Sequence, residues 1–227
     1  MKKQILLAAA LAMASSALAQ TLPIYVAGDF NSWNAAGNVM TETSPGIWQV
    51  ALTGLSVGRH EFKFTQGDWG WNYPGANSWL YTAPDGSITI TYDSNTYADG
   101  WSSASQRIGL NVDPGNWTAA GDFEGWNNAA GNMTPLGGGI YMAQVTTPGD
   151  HLWKAVVTGT WDSISWDNRS VGTADWAFSV GAGQVANLYV NALTGVGKVD
   201  IINVPEPGTL AILGGGLAML VAARKRN

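Results

Sequence analysis

Cysteine is absent from the 227 residues. No disulfide, thiolate nucleophile or Cys-based metal site is available, so the fold must rest on packing alone. Charge is sparse, at 12% of residues, and histidine occurs twice. Basic side chains are the scarcest of the charged groups. From residue 20 to residue 204 six Arg/Lys stand against fifteen Asp/Glu, a net of −9. Such an acidic surface argues against nucleic acid and against anionic membrane as partners. Helical periodicity is missing between the two ends. Instead, short apolar or alternating runs alternate with Gly, Pro and Asn clusters, which is the pattern of an all-β protein. What is plentiful is glycine, with 29 residues, and tryptophan, with 12.

The chain contains one module written twice. Ala27-Gly28-Asp29-Phe30-Asn31-Ser32-Trp33-Asn34 returns as Ala120-Gly121-Asp122-Phe123-Glu124-Gly125-Trp126-Asn127. Gly46-Ile47-Trp48 returns as Gly139-Ile140-Tyr141, and the two histidines, His60 and His151, are each followed three residues later by a lysine, Lys63 and Lys154. A repeat of roughly 93 residues is too long for a solenoid unit and denotes tandem domains.

Both ends read as addresses. Met1-Lys2-Lys3, an apolar run from Ile5 to Met13, and Ala17-Leu18-Ala19 before Gln20 form a secretory signal peptide, residues 1–19. At the other end Pro205-Glu206-Pro207 precedes an apolar run from Thr209 to Ala223 and the basic Arg224-Lys225-Arg226. As a helix this run spans roughly 22 Å, less than the ~30 Å hydrocarbon core, so insertion requires local thinning. Residues 204–227 resemble the PEP-CTERM sorting tail of Gram-negative bacteria. The resemblance implies signal peptidase and an exosortase-type protease as processing partners. It also implies transient inner-membrane anchoring through the hydrophobic helix, then release to the cell surface or extracellular matrix. The alternative is a single-pass anchor that stays uncut.

In the first copy strands are expected at Ile24–Ala27, Ile47–Leu52, Arg59–Thr65 and Ser87–Tyr92, with a long loop over Asp29–Asn38 and a turn at Gln66-Gly67-Asp68. Along Arg59–Thr65 the residues His60, Phe62 and Phe64 share one face, which should be core. In the second copy His151, Trp153 and Ala155 take that place. Turn spacing and antiparallel pattern suggest two immunoglobulin-like sandwiches, module 1 at 20–101 and module 2 at 108–203, joined by a flexible polar linker at 102–107.

Gly-Asp-Phe-Asn-x-Trp-Asn, then Gly-Ile-Trp-x-Val-x-Leu, then an aromatic-Lys-aromatic strand with a following Gly-x-Trp resemble the glycogen- and starch-binding modules. These are carbohydrate-binding module family 48 and its relatives, matched over Ile24–Trp69 and, less closely, Asn116–Trp161. The resemblance implies an early-set immunoglobulin-like fold that binds α-glucans without cleaving them. Carried over residue by residue, it implies sugar contacts at Trp33, Lys63 and Trp69, and at Trp126, Lys154 and Trp161. A later Asn contact of the family has Asn95 as its candidate here. Independently of family, a Trp face suits the C–H face of a pyranose, and Lys N–H groups suit hydroxyls.

Other readings stand beside these. Trp48, Tyr141, Phe30 and Phe123 fit core roles. Trp71, Trp79, Trp166 and Trp176 either extend an aromatic surface or pack under long loops. Lys63 is either a ligand donor or a strand charge paired with Glu61 or Asp68. The histidines lie in different copies, so no single module offers a two-His metal site, and a Ser-His-Asp triad would need a core-facing base. No catalytic residue, metal or cofactor is implied. The expected function is an exported, non-catalytic protein binding an α-glucan or matrix exopolysaccharide. The alternative is a structural or adhesive matrix protein whose sandwiches do not bind sugar.

Overall fold

The computed structural model describes residues 22–204. The signal peptide, the sorting residues Pro205, Glu206 and Pro207, and the expected C-terminal helix lie outside the described residues. Among the described residues no helix is long and apolar enough to cross a membrane.

The chain is all-β, with four antiparallel sheets of four strands, two per copy. In the first copy one sheet has the order β2-β1-β5-β6, from β1 (Tyr25–Gly28), β2 (Asn38–Val39), β5 (Arg59–Thr65) and β6 (Asn72–Tyr81). The other has the order β3-β4-β7-β8, from β3 (Thr41–Ser44), β4 (Ile47–Leu52), β7 (Ile88–Asp93) and β8 (Arg107–Leu110). The expected strands at 47–52 and 59–65 are present with those bounds. Phe62 and Phe64 are fully buried in one apolar cluster with Ile88, Ile90 and Tyr92 of the opposite sheet, and His60 on the same face of β5 is nearly buried. Alternation on β5 therefore places Lys63 and Glu61 on the outer face.

The second copy repeats the topology with β9 (Trp117–Gly121), β10 (Thr134–Gly137), β11 (Ile140–Val145), β12 (Gly149–Val157), β15 (Gln184–Asn191) and β16 (Val196–Asn203). Its counterpart of β6 is broken into β13 (Ser163–Ile164) and β14 (Trp176–Val180), both paired to β12. The intervening loop leaves its own sheet and meets the first copy. Ser170 bridges to Ser78 of β6, and the Val171 amide donates to the Asn77 carbonyl at 2.7 Å.

The expected linker is corrected by this arrangement. Arg107 and Ile108, placed in the linker and at the start of module 2, belong to β8, hydrogen-bonded to β7 of the first copy. Ile108 and Leu110 alternate into the first copy's core, which gives that strand its place. Nor is the segment before it a free tether. Arg107 grips Asp99 with two N–H···O bonds of 2.8 Å, donates to the Ser103 carbonyl, and stacks over the Tyr97 ring at 4.0 Å. Hydrogen bonds from Arg107 hold the Asp99 carboxyl at a pKa of about 2.

The two copies share a core. Trp79 projects from β6 into the second copy's cluster, is fully buried, and packs against Trp117 with ring centroids 6.1 Å apart at 36°. Its indole N–H donates to the Ser163 carbonyl at 2.9 Å. Arg169, in the β13–β14 loop, lies buried over the Trp79 ring at 4.7 Å and donates to the Ala192 carbonyl. Burial lowers its pKa to about 9.

Candidate functional site

The Gly-Asp-Phe turn that opens the repeat is a staple. Phe30 and Phe123 fold back over Gly28 and Gly121, so closely that a Cβ on either glycine would lie 2.5 Å or 2.3 Å from the ring. Both phenylalanines pack against their core clusters, as expected. Asp29 accepts from the Glu61 amide at 3.1 Å and pairs with His60 Nδ1 at 2.7 Å. Asp122 does the same with the Leu152 amide at 3.2 Å and His151 Nδ1 at 2.8 Å. The other ring nitrogens face the Ser56 and Thr147 carbonyls at 2.9 Å and 3.0 Å.

These contacts fix what the histidines do. Ser56 Oγ lies 3.2 Å from His60 Nε2, so Ser56, His60 and Asp29 form a triangle resembling a nucleophile triad. The nearer Ser56 carbonyl, however, requires a proton on Nε2, and a nitrogen that donates there does not serve as a base for the hydroxyl. The second copy keeps the same staple around Thr147. For His151, burial disfavours the charge, but the Asp122 carboxylate and Thr147 carbonyl outweigh it, and its pKa is raised. Hollows of about 430 and 490 Å³ flank the two staples, but their ionisable groups are largely tied to one another.

The staple also aims the loop tryptophan. The backbone N–H groups of Trp33 and Trp126 donate hydrogen bonds of 2.8 Å to the carbonyls of Gly28 and Gly121, and both residues have φ of 58°. That left-handed conformation is unfavourable for a bulky residue and is retained where the surroundings impose it. Both side chains are half-buried at the outer face.

In the first copy the three expected residues converge. Trp33 and Trp69 approach with ring centroids 6.4 Å apart at 43°. Together with Lys63, Asn72 and Asn77 they line a shallow hollow of about 280 Å³. Trp69 is 45% exposed. The polar half is supplied by β6, whose pairing with β5 shifts register between Phe62 and Phe64, so that Pro74 to Asn77 bulge outward. Lys63 Nζ fills this bulge, donating to Asn72 Oδ1 at 2.8 Å, the Pro74 carbonyl at 2.9 Å and the Gly75 carbonyl at 2.7 Å. All three of its donors are thereby used, and burial lowers its pKa. Lys63 pairs with neither Glu61 nor Asp68. It braces the hollow, and the amide N–H groups of Asn72 are left at the rim. Asn72 and Asn77 escaped the sequence reading, although both follow the Gly67-x-Trp69 turn closely. Asn95 lies elsewhere, donating to the Pro45 carbonyl at the β3–β4 turn.

The second copy is arranged differently. Lys154 forms an ion pair with Asp175 at 2.7 Å and lies 6.0 Å from the Trp126 ring. Trp161 is 55% exposed. The Thr160 carbonyl before it accepts from Asn128, and the Asp162 carboxylate after it accepts from Arg59 of the first copy at 2.6 Å and from the Tyr81 hydroxyl. Trp161 is thus fixed at the seam between the copies. Of the remaining tryptophans, Trp79 and Trp176 are core, Trp71 packs partly on the first core, and Trp166 is exposed.

Residues 203–226 match the PEP-CTERM protein-sorting motif. The chain therefore carries a signal for export and for sorting to the cell surface or exterior. Among curated proteins, none is detectably similar in sequence. Among solved structures the chain is similar to SusF from Bacteroides thetaiotaomicron, at 15% identity and a TM-score of 0.33, over 80% of this chain and 49% of that one. It is also similar to the pullulanase from Bacillus acidopullulyticus, at 14% identity and a TM-score of 0.31, over 80% of this chain and 28% of that one. The chain thus spans about half the length of the first and about a quarter of the second. Likeness this remote speaks neither for nor against a ligand.

Proposed function

We propose that this is an exported, non-catalytic polysaccharide-binding protein of a Gram-negative bacterium, anchored transiently in the inner membrane, processed by an exosortase-type protease, and then delivered to the cell surface or extracellular matrix. Its two sandwiches are glycogen- and starch-binding-like modules, and its ligand is an α-glucan or a matrix exopolysaccharide. The observation that carries this reading is the Trp33–Trp69 pair, two half-open aromatic faces over a rim of asparagine amides. Apolar ring faces stack on the C–H face of a pyranose while planar amides exchange hydrogen bonds with its hydroxyls. Each contact is weak, since water competes for hydroxyls, so short sugars bind with low affinity.

Affinity electrophoresis of the full chain, in native gels containing detergent and cast with glycogen, soluble starch, β-glucan or no polysaccharide, tests the reading. Retardation in the α-glucan gels alone is expected, and loss of it in Trp33→Ala. Equal mobility in every gel would instead favour the structural or adhesive matrix protein.

A further inference from the structure

Trp161 stands exposed with no aromatic partner inside its own copy among the described residues. The counterpart of the Trp33–Trp69 pair is not formed there, and Lys154 pairs with Asp175 and lies by Trp126. Instead the residue after Trp161 is locked onto the first copy. From that point an unbroken chain of polar contacts leads back to the first copy's hollow. Asp162 binds Arg59 at 2.6 Å, Arg59 binds Glu61 at 2.9 Å, and Glu61 accepts from Asn77 at 2.8 Å. Asn77 lines the hollow itself.

Arg59, Glu61 and Lys63 alternate on the outer face of β5, so Arg59 and Lys63 are separated by about 13 Å. Copy two covers the neighbouring Trp79 but leaves Arg59 and Glu61 each about one-third exposed, with side-chain values of 33% and 31%. The ridge therefore remains open along the seam.

We propose that Trp161 is the distal platform of the first copy's site, so that one neutral glucan chain runs from the Trp33–Trp69 pair, along Asn77, Glu61 and Arg59, to Trp161. This rests on the polysaccharide-binding reading and specifies its ligand as an extended chain segment. The chemistry suits such a ligand. An aromatic face at each end stacks on sugar rings. Between them carboxylate oxygens accept from hydroxyls, and guanidinium and amide N–H groups donate. Arg59 and Lys63 balance Glu61 and Asp162, so the ridge has no net charge of its own. An acidic glycan would meet the chain's overall negative charge, which disfavours it. The shared core fixes the distance between the platforms, so spanning them costs no ordering of a tether.

The test is calorimetric titration of the full chain in detergent with maltotriose and maltoheptaose. The wild type is expected to bind maltoheptaose more tightly. Trp161→Ala should weaken maltoheptaose by roughly three- to tenfold while leaving maltotriose unchanged, and Trp161→Phe should recover part of the loss. Because Trp161 is exposed, the fold should tolerate its loss, and an unchanged melting temperature checks this. Equal maltoheptaose affinity in wild type and Trp161→Ala, or equal weakening of both sugars, overturns the extended site alone. Absence of binding to either sugar by the wild type overturns the α-glucan reading and the extended site together.

Discussion

The two copies begin alike and end differently. The Gly-Asp-Phe staple, the Asp–His pair and the left-handed tryptophan are reproduced with contact distances matching within a few tenths of an ångström. The edge strand beside them is not. In the first copy β6 is continuous. Its start brings Asn72, paired with Thr65, and its bulge brings Asn77 to the hollow beside the tryptophan pair. In the second the same edge is split, and its loop is used to join the copies and to hold Lys154 through Asp175. A repeated sequence motif thus reproduces a local turn, whereas the site depends on the strand that closes it. Duplication supplied two tryptophan loops, and the interface left one of them with a complete hollow.

The largest expected effect breaks the shared core. Trp79 is fully buried in the second copy's cluster although it belongs to the first copy's strand. Trp79→Ala should cost about 3–5 kcal/mol. In urea unfolding followed by circular dichroism, wild type should show one transition, and the variant an earlier midpoint or two separated transitions.

Next is the contrast between the loop tryptophans. Trp33→Ala should weaken glucan retention by about tenfold or more, whereas Trp126→Ala should have a much smaller effect. Parallel affinity gels compare them directly, and equal losses would remove the distinction drawn between the copies.

A smaller effect concerns pH. The His151 pKa is raised above its ordinary value of 6.5 in the folded chain. A raised folded value means that the charged ring stabilises the fold fully below about pH 6.5, and that this contribution disappears as pH rises through the folded value. Asp122→Asn should therefore lower the melting temperature more at pH 5.5 than at pH 8.5. A larger loss at the alkaline end would contradict the staple.

The smallest effect would sharpen the comparison. Asp175→Ala releases the Lys154 ammonium from a partly exposed pair, which is worth less than about 1 kcal/mol. Stability should scarcely change. If Asp175 is what withholds Lys154 from the ligand, glucan retention by the Trp33→Ala background should rise slightly in the same gels.

Much of the fold was legible because alternation is strong where one face is buried. Ile47–Leu52 and Arg59–Thr65 have an apolar stripe of period two, and both strands occur where the stripe lies. β6 was not legible. Pro74, Gly75 and the outward bulge interrupt its alternation, so it looks like a loop. The convergence of Trp33, Lys63 and Trp69 follows from the repeat and the family resemblance. The role of Lys63 does not, since its partners include two backbone carbonyls that no side-chain pattern reveals. The interface was hidden for a similar reason. Trp79 reads as one more aromatic among 12 tryptophans, and the loop that covers it is polar in sequence. Arg107 reads as linker because its strand is only four residues long.

The most direct test of the account is a crystal structure of the protein with maltoheptaose bound. The account predicts sugar rings stacked on Trp33 and Trp69, hydroxyls within hydrogen-bond reach of Asn72 and Asn77, and Lys63 still engaged with the β6 bulge. A glucan bound elsewhere, with the Trp33–Trp69 hollow empty, would contradict it.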